Sequence, residues 1–102
     1  MKTTVLMLMA ACGFAFAGTP DGKAVFEAKC QQCHGANGEG KAAIAKMYKV
    51  EMHALGSREI QGKSDADIKK TITAGQGKMK PVSGLTDKQV NDVIAFVRTL
   101  KE

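Results

Sequence analysis

The sequence has few of the residues from which metal sites and catalytic sites are usually built, with two histidines and three cysteines in 102 residues. It also has no tryptophan. Outside the N-terminal apolar segment, the candidate zinc ligands are Cys30, Cys33, His34 and His53. They lack the second closely spaced pair that structural zinc sites normally contain. The glycine-rich stretch 35–40 does not continue into Gly-Lys-Ser/Thr, which a phosphate-binding loop requires. The sequence therefore favours neither a zinc site nor a nucleotide-binding loop.

Aromatic residues and long apolar runs are scarce as well. Aromatic side chains make up 5% of the chain, and none of its basic stretches is rich in them. Proteins that bind nucleic acids concentrate positive charge on one surface, and those that bind single strands add aromatic side chains to it. The longest apolar run, 5–16, is shorter than the roughly 20 residues of a transmembrane helix. We therefore expect neither a nucleic-acid-binding protein nor a membrane-spanning one.

The first 17 residues have the pattern of an export signal. Lys2 supplies the positive end, the apolar run follows it, and Ala15 and Ala17 place small residues at the two positions that signal peptidase inspects. We predict a signal peptide at 1–17 and one domain at 18–102, in the periplasm or another extracytoplasmic compartment such as the thylakoid lumen. Cleavage after Ala17 leaves 85 of the 102 residues and lowers the net charge from +5 to +4, because Lys2 is the only charged residue removed.

Cys12 allows a second interpretation of the N-terminal segment. Met9-Ala10-Ala11-Cys12 loosely resembles a lipoprotein box, in which the cysteine is lipidated and becomes the mature N-terminus. The box normally has leucine where Met9 stands, and it would leave a very short apolar region before it. We therefore predict that Cys12 is removed with the signal. The mass of the mature N-terminus distinguishes the two cases.

The stretch that organises the chain is Cys30-Gln31-Gln32-Cys33-His34. The C-x-x-C-H pattern is typical of covalent c-type haem attachment. Two thiols separated by two residues lie about one helical turn apart, so each can form a thioether with one vinyl group of the same porphyrin. The adjoining histidine then lies under the ring, where its neutral imidazole can bind the iron. The sequence thus predicts one haem c, attached through Cys30 and Cys33, with His34 as an axial ligand.

A thioredoxin-like redox pair is the other common interpretation of C-x-x-C. That pair belongs in a βαβ pattern. No run of β-branched residues typical of a strand surrounds Cys30. The redox-pair interpretation is therefore not favoured.

Capping signals and apolar periodicity predict an all-α domain of three to five helices around the haem. Asp21 is expected as the N-cap of a first helix that runs into the haem motif. A short helix is expected at 41–48, with Ile44 and Met47 facing inward. Residues 50–56 are expected to be irregular.

Two capping boxes mark two further helices. Ser64 begins a helix that ends at Gly75, and Thr86 begins the last helix. Each N-cap hydroxyl is followed three residues later by a side chain that completes the box, Asp67 or Gln89. The predicted apolar faces are Ile68 and Ile72 in the first of these helices and Val90, Val93, Ile94, Val97 and Leu100, with Phe96 beside them, in the last.

The far side of the haem iron needs a second ligand, and the candidates are Met47, Met52, His53 and Met79. Met79 is favoured because it lies in a glycine-bounded loop far along the chain from the haem motif, and Pro81 stiffens that loop. Methionines are more often core residues than ligands. Met47 and Met52 are therefore expected to be core residues and His53 a surface residue. A histidine in place of Met79 would give a lower reduction potential than a methionine.

These features together resemble the small monohaem class I c-type cytochromes, and most closely their periplasmic and photosynthetic single-haem electron carriers. The resemblance covers nearly all of the segment after the signal. The matching segments, in chain order, are Asp21-Gly22-Lys23-Ala24-Val25-Phe26, Cys30-Gln31-Gln32-Cys33-His34-Gly35, Gly38-Glu39-Gly40, Gly75-Gln76-Gly77-Lys78-Met79, Leu85-Thr86-Asp87 and Val93-Ile94-Ala95-Phe96-Val97-Arg98.

The resemblance implies the class I cytochrome c fold. In that fold the first helix, near Gly22 and Phe26, crosses the last helix near Phe96. The resemblance also implies Met79 as the sixth ligand of the iron. One departure is Lys80, which follows Met79 where many members of the family have proline.

The predicted function is soluble one-electron transport. Two strong axial ligands leave no vacant position on the iron for a substrate. The sequence has neither a carboxylate pair nor a serine or cysteine beside a base, so we do not expect an enzyme. The expected partners are a donor and an acceptor redox protein, which meet a monomeric carrier transiently through a small interface.

Two alternatives to a soluble carrier stay open. One is a haem peroxidase or gas sensor with a labile sixth ligand, which carbon monoxide binding to the reduced protein would reveal. The other is a lipid-anchored cytochrome subunit of a redox complex, which the lipoprotein interpretation of Cys12 would allow.

Overall fold

The computed structural model describes residues 20–102, and the predicted signal peptide at 1–17 lies outside them. These residues form no β-strand, and their single β-bridge joins Gln76 and Met79. The all-α prediction is therefore confirmed. Six helices are present instead of three to five, because two of them are single turns of four residues. The helices are α1 (Pro20–Lys29), α2 (Gln31–His34), α3 (Ala42–Tyr48), α4 (Arg58–Gln61), α5 (Asp65–Ala74) and α6 (Asp87–Thr99).

Helix α6, with 13 residues, carries the main apolar face. It begins with the predicted capping box. The hydroxyl oxygen of Thr86 accepts a hydrogen bond from the backbone N–H of Gln89 at 3.1 Å, and the side-chain oxygen of Gln89 accepts one from the backbone N–H of Thr86 at 2.9 Å. Two backbone donors that a helix start leaves unpaired are satisfied in this way. The buried residues of α6 are four of those predicted, Val90, Val93, Ile94 and Val97.

Helix α5 lies against α6 and also has its predicted bounds. The hydroxyl oxygen of Ser64 accepts a hydrogen bond from the backbone N–H of Asp67 at 3.0 Å. The helix ends at Gly75, whose φ of 80° suits glycine. Together with α1 and α6 it encloses the core, which consists of Phe26, Ile68, Ile72, Val90, Val93, Ile94 and Val97.

Helix α1 packs on α6 at a point that has no room for a side chain. A Cβ atom at the buried Gly22 would overlap the carbonyl oxygen of Asp92 and lie 3.2 Å from the Cβ of Phe96. One turn later, Phe26 is 1% exposed, and its ring centroid lies 5.0 Å from that of Phe96. The packing of the first helix on the last, implied by the resemblance, is therefore present.

Two local predictions are wrong. Asp21 lies inside the first turn of α1 instead of capping it, because the helix already includes Pro20, whose fixed φ suits a first turn. Helix α3 forms where predicted, and Ile44 is half-buried, but Met47 is 62% exposed. No residue of this short helix is buried, and it ends at Lys49 in the left-handed conformation. A periodic pattern predicts burial only where another element covers the face.

None of the helices in the described range 20–102 is long and apolar enough to cross a membrane.

Gly22→Ala should destabilise the haem-loaded protein by about 1–3 kcal/mol, the usual cost of adding atoms to a packed contact. Helix propensity alone would give a stabilisation of up to about 1 kcal/mol, so the sign of the change isolates the crowding against α6. Urea unfolding followed by circular dichroism measures it. Ala24→Gly is the control, because it makes the reverse change at an exposed position of the same helix, where helix propensity alone decides the effect. Unchanged stability of Gly22→Ala would contradict the close approach.

Candidate functional site

The predicted haem motif forms one helical turn directly after α1. The backbone N–H of Cys30 donates to the carbonyl oxygen of Phe26 at 2.8 Å, which continues the hydrogen bonding of α1 by one residue. The backbone N–H groups of Cys33 and His34 both donate to the carbonyl oxygen of Cys30, at 3.2 and 3.0 Å. Backbone hydrogen bonds thus hold the two cysteines and the histidine within one turn.

Both thiols of the motif are free and half-buried. The side chain of Cys30 packs against the core. Burial, and to a lesser degree the neighbouring Cys33, raises the pKa of the Cys30 thiol to about 11, so the group is protonated at neutral pH. Two free thiols at this spacing have the chemistry that covalent haem attachment needs.

The imidazole of His34 is half-buried, and burial lowers its pKa below the ordinary value of 6.5. The neutral form, which can bind a metal ion, is therefore favoured. Its Nδ1 atom is buried and has no hydrogen-bond partner within residues 20–102. Leaving a buried polar atom unpaired costs roughly 1–3 kcal/mol. A neutral ring with an unsatisfied nitrogen, beside two free thiols, fits the donor set of haem c.

A tight loop closes over the end of this turn. The backbone N–H of Gly40 donates to the carbonyl oxygen of His34 at 2.6 Å, and that of Lys41 donates to the carbonyl oxygen of Cys33 at 3.1 Å. Gly35 has a φ of 86°, and a Cβ atom there would overlap the carboxylate of Glu39. The Glu39 carboxylate in turn accepts a hydrogen bond from the backbone N–H of Asn37 at 3.0 Å. The loop therefore fixes the backbone around His34 from its C-terminal side.

Met79 lies at the end of a second tight turn. It exchanges two backbone hydrogen bonds with Gln76, each of 2.9 Å, with Gly77 and Lys78 at the tip. A Cβ atom at Gly75 would lie 2.7 Å from the carbonyl oxygen of Met79, so this approach also requires glycine. The Met79 side chain is half-buried against the core, and Lys80 after it is exposed. The turn therefore fixes the backbone of Met79 beside the core.

The other candidate ligands differ in exposure. Met47 and His53 are exposed, and His53 lies 3.9 Å from the carboxylate of Glu51. Met52 is half-buried beside Gly40, whose Cβ position lies 3.1 Å from the Met52 carbonyl oxygen. In the described part of the chain, no group of three or more His, Cys, Asp and Glu side chains is arranged to hold a metal ion.

The structure brings Cys30 and Met79 to the same core, although they are 49 positions apart in the sequence. Two further side chains near the motif were not predicted from the sequence. Glu39, which closes the loop, carries only a weak signal, an acidic residue between two glycines. Gln61 donates to the carbonyl oxygens of Leu55 and Val97, and no local signal points to a partner 36 residues away.

Comparisons with known proteins support these observations. The family model for cytochrome c matches residues 20–101. The solved structure of the KustC0563 c-type cytochrome is similar, with a TM-score of 0.69, 26% identity, and coverage of 80% of this chain and 99% of that chain. Among curated protein sequences, none matches the chain significantly.

A second solved structure shows the same fold. It is a chain of the Kuenenia stuttgartiensis reducing HAO-like protein complex Kustc0457/Kustc0458, with a TM-score of 0.65 and 22% identity. The match covers 86% of this chain and 46% of that chain. At this identity the likeness extends to the fold alone.

Glu39→Gln should remove a pH-dependent contribution to stability. Hydrogen bonds from the backbone N–H groups of Glu39 and Asn37 hold the pKa of the carboxyl below its usual 4.5. A carboxyl whose pKa is lower in the folded than in the unfolded state stabilises the fold above the unfolded pKa, and this contribution is lost as the pH falls through the folded pKa. Wild type should therefore lose more stability on acidification than Glu39→Gln. Urea unfolding at about pH 6 and about pH 3 measures this, and equal losses would contradict it.

Proposed function

Because the chain belongs to the cytochrome c family, whose members carry covalently attached haem c, we propose that it is an exported one-electron carrier between two redox proteins. When bound, the haem supplies an iron that alternates between its ferric and ferrous states. The observation that carries the proposal is the half-buried imidazole of His34, whose Nδ1 has no hydrogen-bond partner in the described range, within one helical turn of two free thiols.

In the proposed site each residue has one role. Cys30 and Cys33 would form the two thioether bonds to the haem, and His34 and Met79 would be the two ligands of its iron. The place of Met79 in a hydrogen-bonded turn, with the side chain against the core, supports this role, because the turn holds its backbone without the help of a helix.

Exposure supports Met79 over two of its competitors. Met47 is 62% exposed and His53 is also exposed, whereas a ligand of a buried iron needs to face the interior. Met52 is half-buried and is the competitor that the experiment below has to exclude. With a histidine and a methionine bound, the iron has no free position for a substrate, so we propose a carrier and not an enzyme.

Export is part of the proposal and rests on the sequence. The charged and apolar segment at 1–17 has the features of a signal peptide, and the domain begins at 18. Haem c is attached outside the cytoplasm, so the proposed compartment is the periplasm or an equivalent extracytoplasmic space.

Met79→Ala should abolish the weak sulfur-to-iron charge-transfer absorption of the ferric protein and lower the reduction potential. The shift is expected to be a sizeable part of the roughly 0.8 V range that axial ligands span. The ferrous variant should also bind carbon monoxide at the vacated position. Optical spectra and a redox titration measure both effects. Met47→Ala is the matched control, and it should leave the spectrum and the potential unchanged.

The same two measurements identify a wrong ligand. If Met52→Ala loses the absorption band and Met79→Ala keeps it, the assignment of Met79 is wrong. It is also wrong if wild type lacks the band and ferrous His53→Ala is the variant that binds carbon monoxide.

Two lysines suggest how the carrier finds its partner. Lys78 and Lys80 are exposed on either side of Met79, at the proposed point of approach to the haem. The lysines that form ion pairs in the described range are Lys69 and Lys88, so this pair keeps its charge free for a partner. A charged approach can raise association rates about 10- to 1,000-fold at low salt. We therefore propose an acidic partner surface.

Lys78→Glu combined with Lys80→Glu should slow electron transfer to an acidic redox protein and flatten its salt dependence. The Debye length is only about 8 Å at physiological ionic strength, so steering weakens as salt is added. Stopped-flow rates across a salt series measure this. Lys23→Glu with Lys101→Glu, which makes the same charge change on exposed positions elsewhere, is the control. Equal salt sensitivity of wild type and the Lys78/Lys80 variant would indicate docking through apolar contacts instead.

A further inference from the structure

The haem motif is connected to α6 from both of its ends. On the N-terminal side, α1 packs on α6 through Gly22 and the ring contact between Phe26 and Phe96, and then runs into Cys30. On the C-terminal side, the connection passes through the segment 55–61. The second connection consists of hydrogen bonds. The backbone N–H of Glu102 donates to the carbonyl oxygen of Gly56 at 3.0 Å, and the bonds that tie Leu55 itself to α6 come from one side chain.

That side chain is Gln61. Its amide nitrogen donates to the carbonyl oxygen of Leu55 at 2.9 Å and to the carbonyl oxygen of Val97 in α6 at 3.0 Å. The backbone carbonyl oxygen of Gln61 accepts a hydrogen bond from the guanidinium of Arg98 at 2.9 Å. The two hydrogen bonds that the Gln61 side-chain amide donates are partly buried, so water competes less for the donor. Gln61 therefore fastens Leu55 to the last turn of α6.

Leu55 passes this connection on to the loop that follows His34. Its backbone N–H donates to the carbonyl oxygen of Gly38 at 2.7 Å, and the N–H of Gly38 donates to the carbonyl oxygen of Gly35 at 3.0 Å. Gly38 is buried, and a Cβ atom there would lie 3.0 Å from the Cβ of Leu55 and 2.9 Å from Leu100. The side chains of Leu55 and Leu100 and the hydrogen bond from the Leu55 N–H thus all hold the loop at Gly38.

The ring of His34 depends on this loop for its position. Its Nδ1 atom is buried without a hydrogen-bond partner in the described chain, so no side-chain bond orients the imidazole. Its carbonyl oxygen is held by Gly40, within the loop that Leu55 anchors. The backbone hydrogen bonds of the loop therefore fix the point from which the His34 side chain extends.

We propose that Gln61 is a positioning residue for the axial histidine, acting through Leu55 and Gly38 to set the orientation of the His34 ring and thereby the reduction potential. The proposal rests on the proposed function, because it takes His34 as a ligand of the iron. It assigns a functional effect to a side chain 27 positions away from the motif's histidine.

The test compares two Gln→Glu substitutions in the haem-loaded protein. Gln61→Glu keeps the size of the side chain, removes both N–H donors and places a carboxylate against two carbonyl oxygens. Gln89→Glu makes the same charge change at the capping box, where the side chain acts only as an acceptor, from the N–H of Thr86, and a carboxylate can replace it. The pair therefore separates lost hydrogen bonds from added charge.

Three measurements follow the proposed path. Hydrogen exchange of the Leu55 amide should be roughly tenfold faster in Gln61→Glu than in Gln89→Glu, because its anchor to α6 is lost. The hyperfine-shifted ring protons of His34 in the ferric protein should move in Gln61→Glu only. The reduction potential should shift further in Gln61→Glu than in Gln89→Glu. Gln61→Met, which removes the donors without adding charge, should reproduce all three effects and serves if Gln61→Glu does not fold.

A purely structural role gives a different result. If Leu55 exchanges faster while the His34 resonances and the potential match those of Gln89→Glu, the positioning role is overturned and Gln61 only stabilises the fold. If wild type carries haem but His34 shows no hyperfine shift, the ligand assignment in the proposed function has failed, and this inference fails with it.

Discussion

The close approach of α1 to α6 is the contact on which the rest of the structure depends. Gly22 lets the backbone of α1 reach the carbonyl oxygen of Asp92, and the rings of Phe26 and Phe96 then contact each other with their planes tilted by 49°. Since the hydrogen bond from the N–H of Cys30 to the carbonyl oxygen of Phe26 extends the bonding pattern of α1 by one residue, the position of the first cysteine follows from this contact. A chain of this size buries only about 60–65% of its unfolded surface, so a covalent cofactor beside the helix pair adds core that the chain cannot supply itself.

The candidate site is built differently from the core beside it. The core consists of buried apolar residues on α1, α5 and α6. His34 ends the single-turn helix α2 and Met79 lies on a tight turn, and backbone hydrogen bonds hold both turns. Gly35 and Gly75 have positive φ angles and approach other atoms too closely for a side chain. These glycines let the turns fold tightly beside the core. Functional groups on such turns keep a defined position even though neither is fully buried.

The sequence predicted what depends on neighbours a few residues apart. The N-cap hydrogen bond of Ser64, the capping box at Thr86 and the apolar face of α6 are interactions between residues three or four positions apart, and all three are present. The capping box predicted at Ser64 is only half formed, because the Asp67 side chain does not return the bond. The haem motif is equally local, and the family match supports its cofactor. By contrast, the bonds from Gln61 to Val97 and from Arg98 to Gln61 span 36 and 37 positions. No periodicity encodes such pairs. The prediction that Met47 faces inward was wrong for a related reason, because burial requires another element of the fold to cover the side chain.

The structure separates two properties that an electron carrier has to adjust independently. Encounter with a partner depends on exposed charge, which in the proposed site is concentrated on Lys78 and Lys80. The potential depends on the ligands, and the turn that carries Met79 is closed by backbone bonds to Gln76 that involve neither lysine side chain. Replacing Lys78 or Lys80 therefore changes the surface charge without removing the hydrogen bonds that hold the backbone of Met79. The loop after His34 is likewise held by backbone hydrogen bonds, which Gly40 and Leu55 donate. Partner choice can thus change by surface substitution while both proposed ligands of the iron stay in place.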